Sequence, residues 1–162
     1  MAVKKTAQCV NEMKLTVQSR SANESFARAA VAAFAARLDP SLEEINDIKT
    51  AVSEAVTNCI IHGYRDGIGN IYINVKIYEG GRIVIKIRDT GCGIADVSEA
   101  MQPLFTTGGE ERGGLGFTVM ESFMDKLKVS SRPCRGTIVT MEKVLKPRLS
   151  AGDLSNADRR NA

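Results

Sequence analysis

The sequence lacks the residue types that several classes of function depend on. It has no tryptophan, only 5% aromatic residues, and one histidine, His62. Few side chains are therefore available to stack on nucleic-acid bases. Its four cysteines form no CxxC pair and have only that histidine as a companion, which gives little support to a zinc site or a cysteine-histidine hydrolase. Free thiols in a reducing compartment explain the cysteines better.

Long apolar runs and excess charge are also missing from the main part of the chain. The longest unbroken apolar run covers eight residues, 29–36, whereas a membrane span needs roughly 20. We therefore expect a cytoplasmic protein without a membrane partner. Residues 1–142 contain 17 basic and 17 acidic residues, so the net charge of +3 arises beyond them. This neutral body argues against direct nucleic-acid binding.

Two amphipathic helices are predicted near the start of the chain. Ser21 with Glu24, and Ser41 with Glu44, each match a capping box that opens a helix. We expect Pro40 to end the first helix. Each helix has one apolar stripe, formed in the first by Phe26, Ala30, Phe34 and Leu38, and in the second by Ile45, Ile48, Val52, Val56 and Cys59 up to Gly63.

The remaining pattern predicts an α+β fold. Apolar residues alternate with polar ones over 71–77 and 83–87 on either side of Gly80-Gly81, which is typical of a β-hairpin. Further predicted elements are an edge strand 13–18, helices near 97–101 and 117–126, and a hairpin of 129–131 with 137–144. We expect a two-layer α/β sandwich with a mixed, mostly antiparallel sheet and helices on one face. Residues 1–146 form one domain, and 147–162 form a tail predicted to be disordered.

The first group of chemistry-bearing residues lies on the second helix. Glu54, Asn58 and His62 are spaced by four and share the face opposite the apolar stripe. A solvated polar face explains this spacing. So does a phosphate site, where the amide oxygen binds Mg²⁺ and the carboxylate accepts a proton. The spacing alone leaves both open.

The second and third groups are rich in glycine. The second group follows an apolar strand and reads Asp89-Thr90-Gly91-Cys92-Gly93. It is either a plain turn or a place where the backbone approaches a ligand closely and Asp89 binds an amine of that ligand. The segment 106–117 has five glycines in nine residues before a helix, which favours a flexible loop or a lid over an anion. Neither group matches the dinucleotide fingerprint or the P-loop.

Together these groups resemble a known family. Glu54-Ala55-Val56-Thr57-Asn58 resembles the N box, Asp89 to Gly93 the G1 box, and Gly114-Leu115-Gly116-Phe117 the G2 box of the Bergerat (GHKL) ATP-binding fold. Within it, the strings 53–64, 103–107 and 120–125 are similar to the serine protein kinases that act as anti-sigma factors in sporulation. The similarity covers about residues 11–146.

The resemblance implies a role for each matching residue. Glu54 matches the general base, Asn58 the Mg²⁺ ligand, and Asp89 the carboxylate that binds the adenine amine. Arg28 matches an arginine that contacts both protein partners. The residues implied at the nucleotide are Asn58, Asp89, Gly91, Gly93, Thr106, Thr107, Gly114, Gly116, Phe117 and Thr137. Relatives often have a lysine where this chain has Gly108-Gly109, which leaves open whether Arg112 or another arginine neutralises phosphate charge.

The implied function is a homodimeric kinase that uses ATP, releases ADP and requires Mg²⁺. It would bind and inhibit a sigma factor of the sigma F type and phosphorylate a serine of a STAS-domain anti-anti-sigma factor. Three alternatives remain: a general-stress kinase of the same type, a nucleotide-gated module that sequesters a sigma factor without transfer, and a detached histidine-kinase domain. Glu54 argues against pure sequestration, since that function needs no carboxylate beside Asn58.

Overall fold

A computed structural model describes residues 7–103 and 115–146. In chain order the helices and strands are β1 (Cys9–Gln18), α1 (Ala22–Ala35), α2 (Leu42–Asn58), β2 (Asn70–Tyr78), β3 (Arg82–Arg88), α3 (Val97–Ala100), α4 (Gly116–Phe123), β4 (Lys126–Arg132) and β5 (Gly136–Val144). A short 3₁₀ turn, Ala36–Leu38, follows α1, and a π-helical turn, Cys59–Gly63, continues α2. None of the helices described is long and apolar enough to cross a bilayer.

The five strands form one open sheet in the order β1-β2-β3-β5-β4. Every neighbouring pair is antiparallel, so the predicted α+β class is confirmed and the expected parallel component is absent from the described strands. Both predicted hairpins, β2-β3 and β4-β5, are present. The edge strand begins at Cys9, four residues earlier than its alternation indicated.

One face of the sheet is buried under the helices. The alternate residues of β2 and β3 that point to this face are at most 3% exposed: Ile71, Ile73, Val75, Ile77, Ile83, Ile85 and Ile87. They pack in one core with Val31 of α1 and with Ile48, Val52 and Val56 of α2. Burying each such side chain contributes about 1.5–3 kcal/mol to folding.

The two helix starts that look alike in sequence differ in structure. At α2 the capping box is confirmed: the Glu44 amide donates to Ser41 Oγ at 3.1 Å, and the Ser41 amide donates to Glu44 Oε2 at 2.8 Å. At α1 it is wrong, because Ser21 already has helical dihedrals and its side chain caps nothing. Glu24 instead accepts a hydrogen bond from Ser53 of α2 and lies 3.7 Å from Arg28 Nε.

The last predicted helix ends earlier than its apolar pattern suggests. It stops at Phe123, because Met124 is extended and the Asp125 amide donates to the Glu142 carbonyl at 2.9 Å. Lys126, the expected helix end, begins β4 opposite Glu142. The predicted tail and most of the predicted lid lie outside the described residues.

Candidate active site

A cavity of about 740 Å³ lies between the helical layer and the sheet. Its wall combines the last two turns of α2, the π turn, the segment after β3, the start of α4 and the first residues of β5. Glu54, Asn58 and His62 all line it, so the polar face of α2 borders a cavity. A fully solvated face therefore does not describe these three side chains, each of which is partly buried.

Glu54 is half-buried at the wall of this cavity. Burial removes water from its carboxylate, and the negative charge of Glu24 lies close by. Both effects disfavour the ionised form, so the pKa of Glu54 is raised above its ordinary value, chiefly by burial. A carboxylate with a raised pKa is a stronger base once it is ionised.

Asn58 lies one helical turn beyond Glu54, and Gly116 is close to both side chains. A β-carbon built on Gly116 would be 3.2 Å from Glu54 Oε2 and 3.3 Å from Asn58 Oδ1. The first residue of α4 is therefore in close contact with the carboxylate and the amide. Glycine leaves space between them that a side chain would fill.

The side chain of Asn58 would offer one oxygen atom to a magnesium ion that arrives with a nucleotide. The amide oxygen of Asn58 is a hard, neutral ligand, which Mg²⁺ accepts together with phosphates and water. Among the described residues no cluster of three His, Cys, Asp or Glu side chains can hold a metal ion. The donor set thus fits an ion held partly by phosphates and does not fit an all-protein metal cage.

Asp89 occupies a buried position immediately after β3 and is 3% exposed. Its amide donates to the Thr137 carbonyl at 3.0 Å, and its Oδ1 accepts from the Gly91 amide at 2.8 Å. The Cys59 thiol lies close enough to interact with this carboxylate. Burial nevertheless raises the pKa of Asp89. A β-carbon on Gly63 would come within 3.0 Å of the carboxylate, so Gly63 leaves room for it.

Gly91 and Gly93 are required by backbone contacts at this turn. A side chain at Gly91 would collide with the carbonyl oxygen of Gly63. Gly93 has φ of +71°, and a side chain there would collide with the Arg132 carbonyl. The Cys92 amide between them donates to Gly63 O at 2.9 Å, which joins the turn to the end of the π-helical segment.

Two hydroxyl groups that the sequence did not single out hold the cavity wall together. Ser131 Oγ accepts from the Ile94 amide at 2.8 Å and contacts Thr137 Oγ1 at 2.9 Å. Tyr64 OH accepts from the Thr90 amide at 2.8 Å and donates to the Asn70 carbonyl at 2.6 Å. Ile94 is 37 positions from Ser131 and Thr90 is 26 positions from Tyr64, so no local pattern identifies either residue.

The other predicted site residues fall into three groups. Phe117 and Thr137 line the cavity, and Thr137 is 9% exposed. Arg28 is on α1, beside Glu24, and is not among the residues that line the cavity. Thr106, Thr107 and Gly114 lie outside the described residues, so their predicted contacts with the nucleotide remain predictions.

Comparison with known families agrees with this geometry. The family model of the histidine kinase-like ATPase domain matches residues 17–143. The chain belongs to this family. An anti-sigma F factor of Thermoanaerobacter sp. (strain X514) is 61% identical over 136 residues, which cover 83% of this chain and 94% of that protein. The anti-sigma F factor of Geobacillus thermodenitrificans (strain NG80-2) is 56% identical, with coverages of 82% and 92%.

Solved structures support the same fold at much lower identity. The RsbU and RsbW domains of Rv1364c from Mycobacterium tuberculosis match with a TM-score of 0.60 and 19% identity, over 84% of this chain and 32% of that one. Full-length ShkA in complex with AMPPNP matches with a TM-score of 0.51 and 17% identity, over 65% and 23%. This chain therefore spans about a third or less of those longer proteins, and the likeness concerns the fold alone.

Proposed function

We propose that this protein is an ATP-dependent anti-sigma factor kinase that acts in the cytoplasm. It binds and inhibits a sigma factor of the sigma F type, and it phosphorylates a serine of the anti-anti-sigma antagonist. The observation that carries the proposal is the placement of Glu54 and Asn58 against Gly116, in a cavity that also contains the buried carboxylate of Asp89. The relatives named anti-sigma F factor support the identity of the partners.

The base of the nucleotide is recognised through Asp89. Its carboxylate accepts a hydrogen bond from the Gly91 amide and is buried, so its orientation is set before any ligand arrives. An ionised carboxylate is an acceptor only and suits the 6-amino group of adenine. The 6-oxo group of guanine would place two acceptors face to face. We therefore infer a preference for ATP over GTP.

The phosphates are held at the end of the cavity formed by Glu54, Asn58 and α4. The first turn of α4 leaves backbone amides without helical partners, and such amides bind anions. Asn58 would hold the magnesium ion, which neutralises phosphate charge when bound. Phosphoryl transfer requires mainly this kind of positioning and charge neutralisation.

Glu54 performs the proton transfer in the proposed reaction. The carboxylate takes the proton of the antagonist's serine hydroxyl while that oxygen bonds to the γ-phosphorus and the bond to the β-phosphate oxygen breaks. The products are phosphoserine and ADP. A general base contributes typically 10²- to 10⁴-fold to such a rate.

The proposed protein contacts lie outside the cavity. The side chain of Arg28 is 39% exposed on α1 and belongs to a helix that packs on α2, which carries Glu54. A partner that contacts Arg28 would therefore be near the helix with the proposed base. We propose that both partners use this surface and that the active form is a homodimer.

A phosphotransfer assay tests the proposal. The protein is incubated with ATP labelled at the γ-phosphate, Mg²⁺ and a purified anti-anti-sigma factor, with the antagonist's serine replaced by alanine as control. We expect label on the serine of the unmodified antagonist only. ATP-dependent sigma binding without any label would instead support the sequestering module. Failure to bind ATP would overturn both proposals, and preference for a stress sigma factor would favour the general-stress kinase.

A further inference from the structure

The solvent-facing side of the sheet carries an unexpected concentration of positive charge. The residues that alternate with the buried ones include eight bases, half of the sixteen Lys and Arg in the described ranges, and only two of the fifteen Asp and Glu there. The bases are Lys14, Lys76, Arg82, Lys86, Arg88, Lys126, Lys128 and Arg132, and the acids are Glu12 and Glu142. The nearly neutral composition conceals this separation.

Four of these bases are already grouped around the two acids. Lys14 and Lys76 each lie 3.8 Å from Glu12. Arg82 and Lys126 lie 3.4 Å and 3.7 Å from Glu142. Each carboxylate therefore has two cations beside it, which leaves even these groups with an excess of positive charge.

The other four bases form a patch without an acidic neighbour. Within the two described ranges no carboxylate lies within ion-pairing distance of Lys86, Arg88, Lys128 or Arg132, which we call the basic patch. All four are exposed. Their mutual repulsion is a cost that a negatively charged partner would remove.

Strand register fixes the spacing of the patch. Lys86 of β3 and Lys128 of β4 both face Thr140 on the intervening strand, so their backbones lie about 10 Å apart, two strand spacings. Arg88 is two residues, or about 7 Å, along β3 from Lys86 and faces Ile138. The cations thus surround a partly exposed aliphatic centre.

The aromatic residues on this face are partly covered by arginine. The Arg82 guanidinium lies 3.9 Å from the ring centre of Tyr78, and that of Arg88 lies 5.8 Å from the ring centre of Tyr72. Tyr72 is 40% exposed. Few ring faces are left for stacking bases, whereas tyrosine, arginine and an aliphatic centre are typical of protein interfaces.

We propose that the basic patch is a docking surface for an acidic segment of a protein partner. Carboxylates of that segment pair with the four cations, and its apolar side chains pack on Tyr72 and Ile138. The cavity lies on the other side of the sheet, as the inward-facing Val139 lines it, so the nucleotide and this partner bind simultaneously. The proposal is independent of the phosphotransfer activity.

Fluorescence anisotropy with a defined peptide tests this surface. The probe is a fluorescein-labelled peptide of four Asp-Glu-Leu-Glu repeats. The test variant Lys86→Glu/Lys128→Glu reverses two charges of the patch, and the control Arg37→Glu/Lys49→Glu makes the same net change on the helical layer. We expect at least tenfold weaker binding for the test variant than for the control, affinity that falls with added salt, and unchanged ATP binding in both variants.

The other outcomes overturn the proposal. Equal weakening in the two double variants would show that peptide affinity depends only on the net charge of the protein. If the peptide did not bind the unmodified protein, the basic patch would not be a docking surface for acidic segments. Tighter binding of a labelled oligothymidylate of 16 nucleotides, or of anionic lipid vesicles, would assign the patch to another class of partner.

Discussion

The backbone amide of Gly91 donates a 2.8 Å hydrogen bond to the carboxylate of Asp89. This contact closes a turn in which the residue proposed to bind adenine is fixed by the glycine two positions beyond it. A carboxylate that is 3% exposed and already oriented loses little freedom when a ligand binds. The same burial makes its negative charge costly, because the carboxylate loses its contact with water.

Replacing Asp89 with asparagine should separate nucleotide affinity from stability. The variant keeps the size of the side chain but removes the charged acceptor, and a hydrogen bond to a charged group is worth about 1.5–3 kcal/mol. We expect ATP affinity to fall roughly 10- to 150-fold by isothermal titration calorimetry. Because the buried charge is gone, the unfolding midpoint without nucleotide should not fall below that of the unmodified protein. Unchanged ATP affinity would contradict the role of Asp89.

Acidification should weaken ATP binding through the same carboxylate. Burial raises the pKa of Asp89, so the carboxylate is protonated at a higher pH than an ordinary aspartate. ATP affinity is therefore fully present above the raised pKa and is lost as pH falls through it. In the ligand-free protein the sign is opposite, since proton binding relieves the buried charge and stabilises the fold. Calorimetry between pH 8 and pH 4.5 should show a loss of affinity that Asp89→Asn does not share.

Substitutions of Glu54 and Asn58 should impair different steps, phosphoryl transfer for the first and Mg-ATP binding for the second. Glu54→Gln removes the proposed base and should lower kcat for serine phosphorylation by about 10²- to 10⁴-fold, with ATP affinity nearly unchanged. Asn58→Ala removes the proposed Mg²⁺ ligand and should weaken Mg-ATP binding itself. Binding of the sigma factor, which needs ATP but not transfer, should survive the first change better. Equal loss of sigma binding in both variants would refute these assignments.

Gly136 should tolerate replacement by alanine far less well than Gly80, whose backbone conformation is similar. Gly80 and Gly136 have φ of +81° and +84°, but a side chain at Gly80 meets no atom within 4 Å, whereas one at Gly136 collides with the Asp89 carbonyl. Gly80→Ala should cost about 1–2 kcal/mol for the left-handed conformation. Gly136→Ala should cost roughly 1–3 kcal/mol more, in line with overpacking. Urea denaturation of both variants measures the difference, and equal costs would contradict the packing around Asp89.

The two serines at helix starts offer a matched stability test. Ser41→Ala removes the cap of α2 and should lower the free energy of unfolding by about 0.5–2 kcal/mol. Ser21→Ala removes a side chain that caps nothing and should change it by less than about 0.5 kcal/mol. Thermal unfolding of the pair checks this directly. A larger loss for Ser21→Ala would mean that α1 begins differently from the structure described here.

Local sequence patterns predicted the parts of the fold that depend on near neighbours. The Ser41 cap of α2, the alternation that forms β2 and β3, and the glycine turn after Asp89 all act over a few residues. The polar face of α2 could also be found, since the spacing of Glu54 and Asn58 is a property of one helix. Only the tertiary structure shows that this face borders a cavity.

Tertiary contacts determine the features that local sequence patterns did not predict. Ser21 with Glu24 matches a cap, but Glu24 is engaged by Ser53 of another helix. The last helix ends before Lys126 because Lys126 pairs with Glu142 in the ladder between β4 and β5. The charged outer face of the sheet could not be found from composition, because it forms only when all five strands lie side by side.

A crystal structure with AMPPNP and Mg²⁺ would show whether Asp89, Asn58 and Glu54 surround the nucleotide. We expect the adenine amine within hydrogen-bonding distance of the Asp89 carboxylate, the magnesium ion on the Asn58 oxygen, and Glu54 facing the γ-phosphate. A nucleotide bound elsewhere, with Glu54 and Asn58 in contact with bulk solvent only, would contradict it.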